Sequence, residues 1–194
     1  DLMYSLPNQS FDEWKETLNK IINLNPSHIS AYSLILEEGT KFYDMYLNKE
    51  FELNDEEVDI SIYNYTIDTL YKNGYHQYEI SNYAKEGYEC KHNIVYWKCD
   101  NYLGLGPGAS GYINNYRYSN ICDIKEYNKC LEYNKKPIEE KNVLSKKDEM
   151  EEFIFMGLRM NEGINLDEFY EKFNVNFKHK YNNILDKLKN LNLI

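Results

Sequence analysis

The densest cluster of chemically useful side chains lies at residues 91–97, Lys-His-Asn-Ile-Val-Tyr-Trp. The imidazole of His92 can ligate a metal, and the rings of Tyr96 and Trp97 can stack on a planar ligand. The pattern leaves two interpretations open. His92 is either an axial ligand to the iron of a flat macrocycle, or a hydrogen-bonded histidine beside a core tryptophan. We interpret the remaining histidines as structural: His28, His76 and His179.

A glycine-rich segment, Gly104-Leu105-Gly106-Pro107-Gly108, also has two interpretations. The missing side chains would let a ligand approach the backbone, whose N–H groups could bind an anion. The spacing is not the GxGxxG of dinucleotide-binding loops, however, and Pro107 removes one donor. The sequence therefore favours a tight corner between a strand and a hairpin.

Carboxylates occur near several predicted strands. Glu37 and Glu38 follow one apolar segment and Glu79 lies in another, so each could act as an acid or accept a hydrogen bond from a ligand. Asp1 begins an apolar run and could reach a polar ligand group, because a buried carboxylate needs a partner. None of these residues forms a pair that predicts acid–base catalysis.

Composition and charge exclude several classes of protein. The chain of 194 residues is 42% hydrophobic, which is typical of a folded protein and not of a disordered one. A formal net charge of −10 leaves no basic surface for nucleic acid or a polybasic membrane contact. No segment approaches the roughly 18 apolar residues of a membrane span, so we expect a soluble, cytosolic protein.

The cysteines predict reduced thiols and no metal cluster held by this chain. None of their intervals is the gap of about two to four residues that zinc and iron–sulfur sites use, and no signal peptide suggests an oxidising compartment. The four cysteines are Cys90, Cys99, Cys122 and Cys130.

Apolar periodicity predicts alternating strands and helices in the first part of the chain. A short strand at the start is followed by a helix whose capping box is Ser10 and Glu13, and then by an apolar strand from His28 to Leu36. A second helix ends at Gly74, and a third strand is predicted at 76–81. This alternation indicates parallel crossovers, either in an open doubly wound sheet or in part of a (βα) barrel.

The pattern changes after residue 81. We predict a long loop at 82–101, a glycine-broken strand at 102–109, a hairpin at 111–120 and a helix at 123–133. From Ser145 onward the pattern is helical, with helices at about 166–173 and 177–191, which suggests a helix-turn-helix or winged-helix module.

Four segments stand out by their order and spacing: DLMYSLP, HISAYSLILEEGTKFY, GYHQYEISNYAKEGYECKHNIVYW and YLGLGPGA. Together they resemble the HemW family of radical SAM proteins, relatives of the oxygen-independent coproporphyrinogen III oxidase HemN. The resemblance runs from residue 1 to about 170 and implies an α/β fold. Residues 1–122 would be the back half of a partial (βα)6 barrel with a following hairpin, and 123–194 a truncated, mostly helical, winged-helix-like HemN C-terminal domain.

The resemblance also implies cofactors. Proteins of this kind bind S-adenosylmethionine and a 4Fe–4S cluster, but the CxxxCxxC cluster motif and the GGGTP-like segment are not in this chain. Two positions depart from the family pattern: Ser5 stands where a glycine is usual, and Ser110-Gly111 stand where His-Ser is usual. By motif position, the implied S-adenosylmethionine contacts are Asp1, Met3, Ile35 and Ser110.

The HNxxYW motif at 92–97 is typical of HemW, which is described as a haem chaperone, and is not part of the HemN pattern. His92 is thereby implied to be the haem-linked residue, and haem-accepting proteins are the implied partners. The alternative is an oxidase that decarboxylates coproporphyrinogen III by means of a 5′-deoxyadenosyl radical. A third interpretation is that this stretch alone binds nothing, and we predict that it is inactive as an enzyme by itself. Because half a barrel leaves strand edges and a core face uncovered, we also expect reduced stability or self-association.

Overall fold

The structure, a computed structural model, describes residues 1–194 as two compact units, Asp1–Cys90 and Lys91–Ile194. Each unit has apolar core residues of its own. The α/β class expected from the sequence is confirmed, whereas the partial barrel, the winged helix and the domain ranges 1–122 and 123–194 stay predictions. None of the helices is long and apolar enough to span a membrane.

The first unit contains a four-stranded mixed sheet in the order β1-β2-β4-β3. Strands β1 and β2 are parallel, and β4 is antiparallel to both β2 and β3. The strands are β1 (Leu2–Tyr4), β2 (His28–Ser33), β3 (His76–Glu79) and β4 (Asn82–Ala84), and the helices are α1 (Phe11–Leu24), α2 (Lys41–Leu47) and α3 (Glu56–Lys72).

Helices α1 and α3 cover one face of this sheet. Trp14 and Leu18 lie one turn apart on α1 and are fully buried, and the Trp14 indole donates a hydrogen bond of 2.9 Å to the Thr66 hydroxyl on α3. The predicted capping box of α1 is confirmed, since Ser10 and Glu13 exchange both of its hydrogen bonds. Alternation along β2 places Ile29 and Ala31 in the core and His28, Ser30 and Tyr32 on the opposite face.

The second unit contains an antiparallel meander, β5-β6-β7, and six helices. Phenylalanines of two helices form its larger core cluster, Phe153, Phe169 and Phe173. The strands are β5 (Ser110–Ile113), β6 (Tyr116–Asn120) and β7 (Ile138–Val143). The helices are α4 (Lys91–Trp97), α5 (Ile124–Glu132), α6 (Lys146–Gly157), α7 (Leu166–Phe173), α8 (Phe177–Lys180) and α9 (Asn182–Asn190).

Three predictions made from the sequence are wrong. The first sheet is not built from parallel crossovers alone, because the chain reverses after β3 and β4 inserts antiparallel between β3 and β2. The predicted loop at 82–101 contains β4 and α4. The predicted strand at 102–109 is reduced to a single bridge between Tyr102 and Tyr112.

Helix α2 and strand β7 were not predicted at all. Helix α2 has seven residues and buries none of them completely, so its apolar pattern is short. Strand β7 is almost entirely exposed, so it has no apolar alternation to reveal it. The predicted hairpin and the helices at 123–133 and after Ser145 are confirmed, with a break at Tyr181 between α8 and α9.

Candidate functional site

Helix α4 places His92 and Tyr96 one turn apart, where side chains share a helix face. The Tyr96 hydroxyl lies 2.8 Å from Nε2 of His92, and the two rings meet almost at right angles with centroids 4.9 Å apart. His92 is exposed and Tyr96 is half-buried. The imidazole is therefore accessible from solvent and held at one nitrogen by a neighbouring phenol.

A chain of contacts fixes the position of Tyr96. Its ring packs edge-on against Tyr102, with centroids 4.5 Å apart, and Arg117 donates a hydrogen bond of 3.2 Å to the Tyr102 hydroxyl. Arg117 in turn binds both carboxylate oxygens of Glu152, with Nη2 at 2.5 Å from Oε2. These hydrogen bonds hold the pKa of Arg117 above its usual value, so the guanidinium stays charged. The Tyr96 phenol is thus supported, through Tyr102, by the bidentate ion pair between Arg117 and Glu152.

Trp97 belongs to a different part of the unit. It follows His92 by five residues, which on an α-helix is a rotation of about 140°. The guanidinium of Arg159 lies over its ring, 4.4 Å from the centroid, and the indole N–H is buried without a hydrogen-bond partner. Trp97 also lines a cavity of about 230 Å³ with Phe153 and Ile164. Helix α4 therefore brings His92 together with Tyr96 and not with Trp97.

The glycine segment uses its backbone donors internally. Gly104 N–H donates to the Tyr118 hydroxyl at 3.0 Å and Gly106 N–H donates to the Tyr127 hydroxyl at 3.1 Å. Gly108 N–H donates to a main-chain carbonyl at 3.1 Å. No donor of these three glycines is left for an anion, so the anion-binding interpretation is wrong and the corner interpretation is confirmed.

Ser110 lies just beyond that corner and is exposed. It lines a cavity of about 260 Å³ together with Tyr102 and Arg117, which connects it to the residues that support Tyr96. The next residue, Gly111, lies under the Tyr118 ring, and a Cβ there would be 2.3 Å from Cζ of that ring. A side chain at position 111 would therefore require the Tyr118 ring to move.

The predicted S-adenosylmethionine residues of the first unit lie on neighbouring strands. Asp1 directly precedes β1 and, two residues before Met3, shares its side of the strand. Met3 pairs in register with Tyr32 of β2, and Ile35 follows two residues after β2 ends. All three predicted residues are exposed, Met3 by 39% and Ile35 by 75%. The side chains at 1 and 3 therefore point away from the helix-packed core, on the face where Tyr32 lies.

Ser5 shows how the chain compensates for its departure from the family glycine. Its φ of 57° lies in the left-handed region, which glycine adopts without cost. The buried Ser5 hydroxyl donates a hydrogen bond of 2.5 Å to Oδ1 of Asp59. Ser5 therefore combines a left-handed backbone conformation with a buried side-chain hydrogen bond.

Two polar groups of the first unit serve the fold. The buried Glu79 carboxylate accepts from the Ser81 N–H at 3.1 Å and from the Asn82 amide, which closes the turn between β3 and β4. Nε2 of His28 lies 2.9 Å from the Tyr78 hydroxyl, and burial lowers the pKa of His28. No group of three or more His, Cys, Asp or Glu side chains could hold a metal ion.

Comparisons with known proteins give the family. The HemN C-terminal domain family matches residues 144–194. The chain is 39% identical over all 194 residues to the "Heme chaperone HemW" of Lactococcus lactis subsp. lactis (strain IL1403), covering 51% of that protein. The corresponding protein of Bacillus subtilis (strain 168) is 34% identical, again over the whole chain and 51% of that protein.

The chain is HemW-like. The resemblance predicted from the four motifs is confirmed, and the HemW-like chain spans about half the length of these relatives. Another relative, "Radical S-adenosyl methionine domain-containing protein 1, mitochondrial" of Danio rerio, is 31% identical over 172 residues, 84% of this chain and 39% of that protein.

A solved structure is similar in fold. It is described as "Coproporphyrinogen III oxidase (HemN) from Escherichia coli is a Radical SAM enzyme", with a TM-score of 0.75 over 98% of the HemW-like chain and 46% of that protein. At 18% identity this similarity shows the fold alone. The fold similarity therefore carries no information about activity.

Sequence reasoning missed the residues that surround His92. Arg117 and Glu152 are 35 positions apart and carry no local signal of their pairing. Tyr96 did have a signal, because its spacing from His92 is one helical turn, but the segment was predicted as a loop. The recognisable clue was therefore present and was hidden by the wrong secondary structure.

Proposed function

We propose that the protein is a haem chaperone that binds haem through His92 and S-adenosylmethionine through Asp1, Met3, Ile35 and Ser110. The observation that carries the proposal is the exposed His92 imidazole, presented on α4 with an aromatic neighbour and one hydrogen bond. The names of the most similar relatives support it. A 4Fe–4S cluster would be bound by cysteines outside this chain.

The residues present fit a haem iron. An imidazole nitrogen is an ordinary axial ligand, and His92 is exposed at the first turn of α4, where no element of its own unit buries it. Haem supplies an iron atom with open axial positions. The chain supplies the ligand, and the aromatic side chains behind it keep the helix face rigid.

The residues at β1 fit a small polar ligand less completely. Asp1 offers a carboxylate that can accept hydrogen bonds from hydroxyl or ammonium groups, and Met3 and Ile35 offer exposed apolar surface. Ser110 belongs to the second unit and contributes a hydroxyl. Contact with S-adenosylmethionine in the full-length protein is proposed for each of these residues separately.

The proposal includes an architecture and a location. Residues 1–122 would be the second half of a partial (βα)6 barrel with its hairpin, and 123–194 a winged-helix-like C-terminal domain. The HemN-like fold supports the first assignment and the family match at 144–194 supports the second. All four cysteines are unpaired, which is compatible with a cytoplasmic protein.

Haem transfer measured against porphyrinogen conversion tests the function. The full-length protein, loaded with haem, is mixed with a haem-free acceptor protein, and the Soret band of the acceptor is followed. In parallel, the reconstituted protein is incubated with coproporphyrinogen III. We expect haem transfer without conversion of coproporphyrinogen. Conversion to protoporphyrinogen IX would overturn the chaperone in favour of the oxidase.

S-adenosylmethionine binding is tested separately by equilibrium dialysis. Asp1→Asn in the full-length protein removes one carboxylate charge and should weaken binding about tenfold, as expected for a charge-assisted hydrogen bond. The matched control is Asp12→Asn on α1, where the carboxylate is exposed and paired with Lys15. Equal affinities of the two variants would remove Asp1 from the site.

A further inference from the structure

The hydrogen bond between Tyr96 and His92 bears directly on haem binding. Nε2 is the outer nitrogen of the imidazole, whereas Nδ1 is adjacent to Cβ, where a porphyrin plane would collide with the helix. Haem iron therefore needs the Nε2 lone pair of His92. The Tyr96 hydroxyl lies 2.8 Å from that nitrogen, and in the tautomer that carries its proton on Nδ1 it donates to the Nε2 lone pair.

Tyr96 cannot move away from His92 without losing its packing contacts. Its ring is packed against Tyr102, Tyr102 is bonded to Arg117, and Arg117 is bound by both oxygens of Glu152. A phenol held in this way is already in place before haem arrives, so its hydrogen bond to the imidazole has a small entropic cost. Ligation of iron must then break an existing contact.

We propose that Tyr96 sets the haem affinity by competing with iron for Nε2 of His92. The proposal rests on the proposed function, in which His92 is the haem ligand. The competition weakens haem binding by the worth of one hydrogen bond and restores a satisfied histidine when haem leaves. A protein that transfers haem benefits from both effects, because its complex must form and also dissociate.

The test is a haem titration of the full-length Tyr96→Phe variant. This substitution removes the hydroxyl and keeps the ring, so the packing against Tyr102 is retained. We expect the Kd for haem to fall about twofold, the lower end of the range for one net hydrogen bond because this one is exposed, and transfer to a haem-free acceptor to slow by a similar factor. Unchanged or weaker binding would overturn the proposal, since a supporting hydrogen bond would act with the opposite sign.

Tyr102→Phe is the matched control. It removes a hydroxyl from the same aromatic group, but that hydroxyl is bonded to Arg117 and not to His92. We expect its Kd to stay close to that of the unmodified protein. If Tyr102→Phe tightens haem binding as much as Tyr96→Phe does, the effect comes from loosening the aromatic group and the competition is overturned.

Titrations of His92→Ala and His92→Ala/Tyr96→Phe separate this proposal from the proposed function. Loss of haem binding in His92→Ala, without tightening in Tyr96→Phe, overturns the competition and leaves the ligand assignment intact. Unchanged binding in His92→Ala overturns the ligand assignment and the competition with it. Tightening by Tyr96→Phe that persists in the His92→Ala background shows that the phenol does not act through His92.

Discussion

The glycine segment at 104–108 and helix α4 are both candidate ligand sites by residue type, and they use their polar groups in opposite ways. In the glycine segment, the three glycine N–H groups donate to two tyrosine hydroxyls and a carbonyl, so none of these donors is left for a ligand. On α4, the His92 imidazole is exposed and has one hydrogen bond. Glycines in a motif therefore indicate close packing here, whereas an accessible heteroatom indicates a site.

Gly104→Ala should cause the largest loss of stability among the substitutions in the glycine segment. A Cβ at this position would lie 2.3 Å from the main-chain oxygen of Ser110, so the backbone has to move. We expect a loss of more than about 3 kcal/mol of unfolding free energy, at the upper end for overpacking. Urea unfolding followed by circular dichroism measures it. Leu105→Ala is the control, since Leu105 is 83% exposed, and equal midpoints for the two variants would contradict the close packing.

Asn120→Ala removes the side chain that holds the carbonyl groups of the segment. The buried Asn120 amide donates to Gly104 O at 3.1 Å and to Gly106 O at 3.0 Å. Two acceptors lose their partner, so we expect a loss of about 2 kcal/mol. The control is Asn142→Ala on the exposed strand β7, which should change the same urea midpoint very little. A loss as small as that of the control would mean that the amide is dispensable.

Ser5 extends the comparison to the loop after β1, where a polar side chain is also used internally. Ser5→Ala keeps the strained φ of 57° and leaves Asp59 without its donor, so we expect a loss of about 1.5 kcal/mol. Ser5→Gly also loses the hydrogen bond but relieves the backbone, and its loss should be about 1 kcal/mol smaller. Thermal unfolding of the pair gives the order. Ser5→Gly less stable than Ser5→Ala would show that the backbone strain has no cost.

Two tyrosine-to-phenylalanine variants should give the smallest losses of unfolding free energy, and they compare the glycine segment directly with α4. Tyr127→Phe removes the acceptor of the Gly106 N–H, and we expect a loss of about 1 kcal/mol. Tyr96→Phe removes only an exposed hydrogen bond to His92, and we expect less than about 0.5 kcal/mol. Equal losses, measured by urea unfolding, would mean that α4 is as important for stability as the glycine segment and would break the comparison.

Much of the fold could be predicted from the sequence where the pattern was long. Helix α1 has a capping box, α1 and α3 both have an apolar face, and the hairpin has a turn signal at Asn114-Asn115. Helix α4 has only seven residues and follows a polar segment, so its period was too short to recognise. Strand β4 has three residues, and its place between β2 and β3 depends on pairing between distant segments.

The candidate site was predictable only in part. The motif identified His92, because residue type and order are local information. The partner of Tyr102 was not predictable, since the Arg117–Glu152 pair joins β6 to α6 across 35 positions. The hydrogen-bond partners of the glycine N–H groups were also not predictable, because Tyr118 and Tyr127 reach them only when the hairpin and α5 are packed.

Haem titration of the full-length protein with and without His92→Ala tests the central claim most directly. His179→Ala is the matched control, because His179 is another exposed histidine of the same unit. We expect the Soret change to be lost or strongly reduced in His92→Ala and to be unaltered in His179→Ala. An unaltered Soret change in His92→Ala would contradict it.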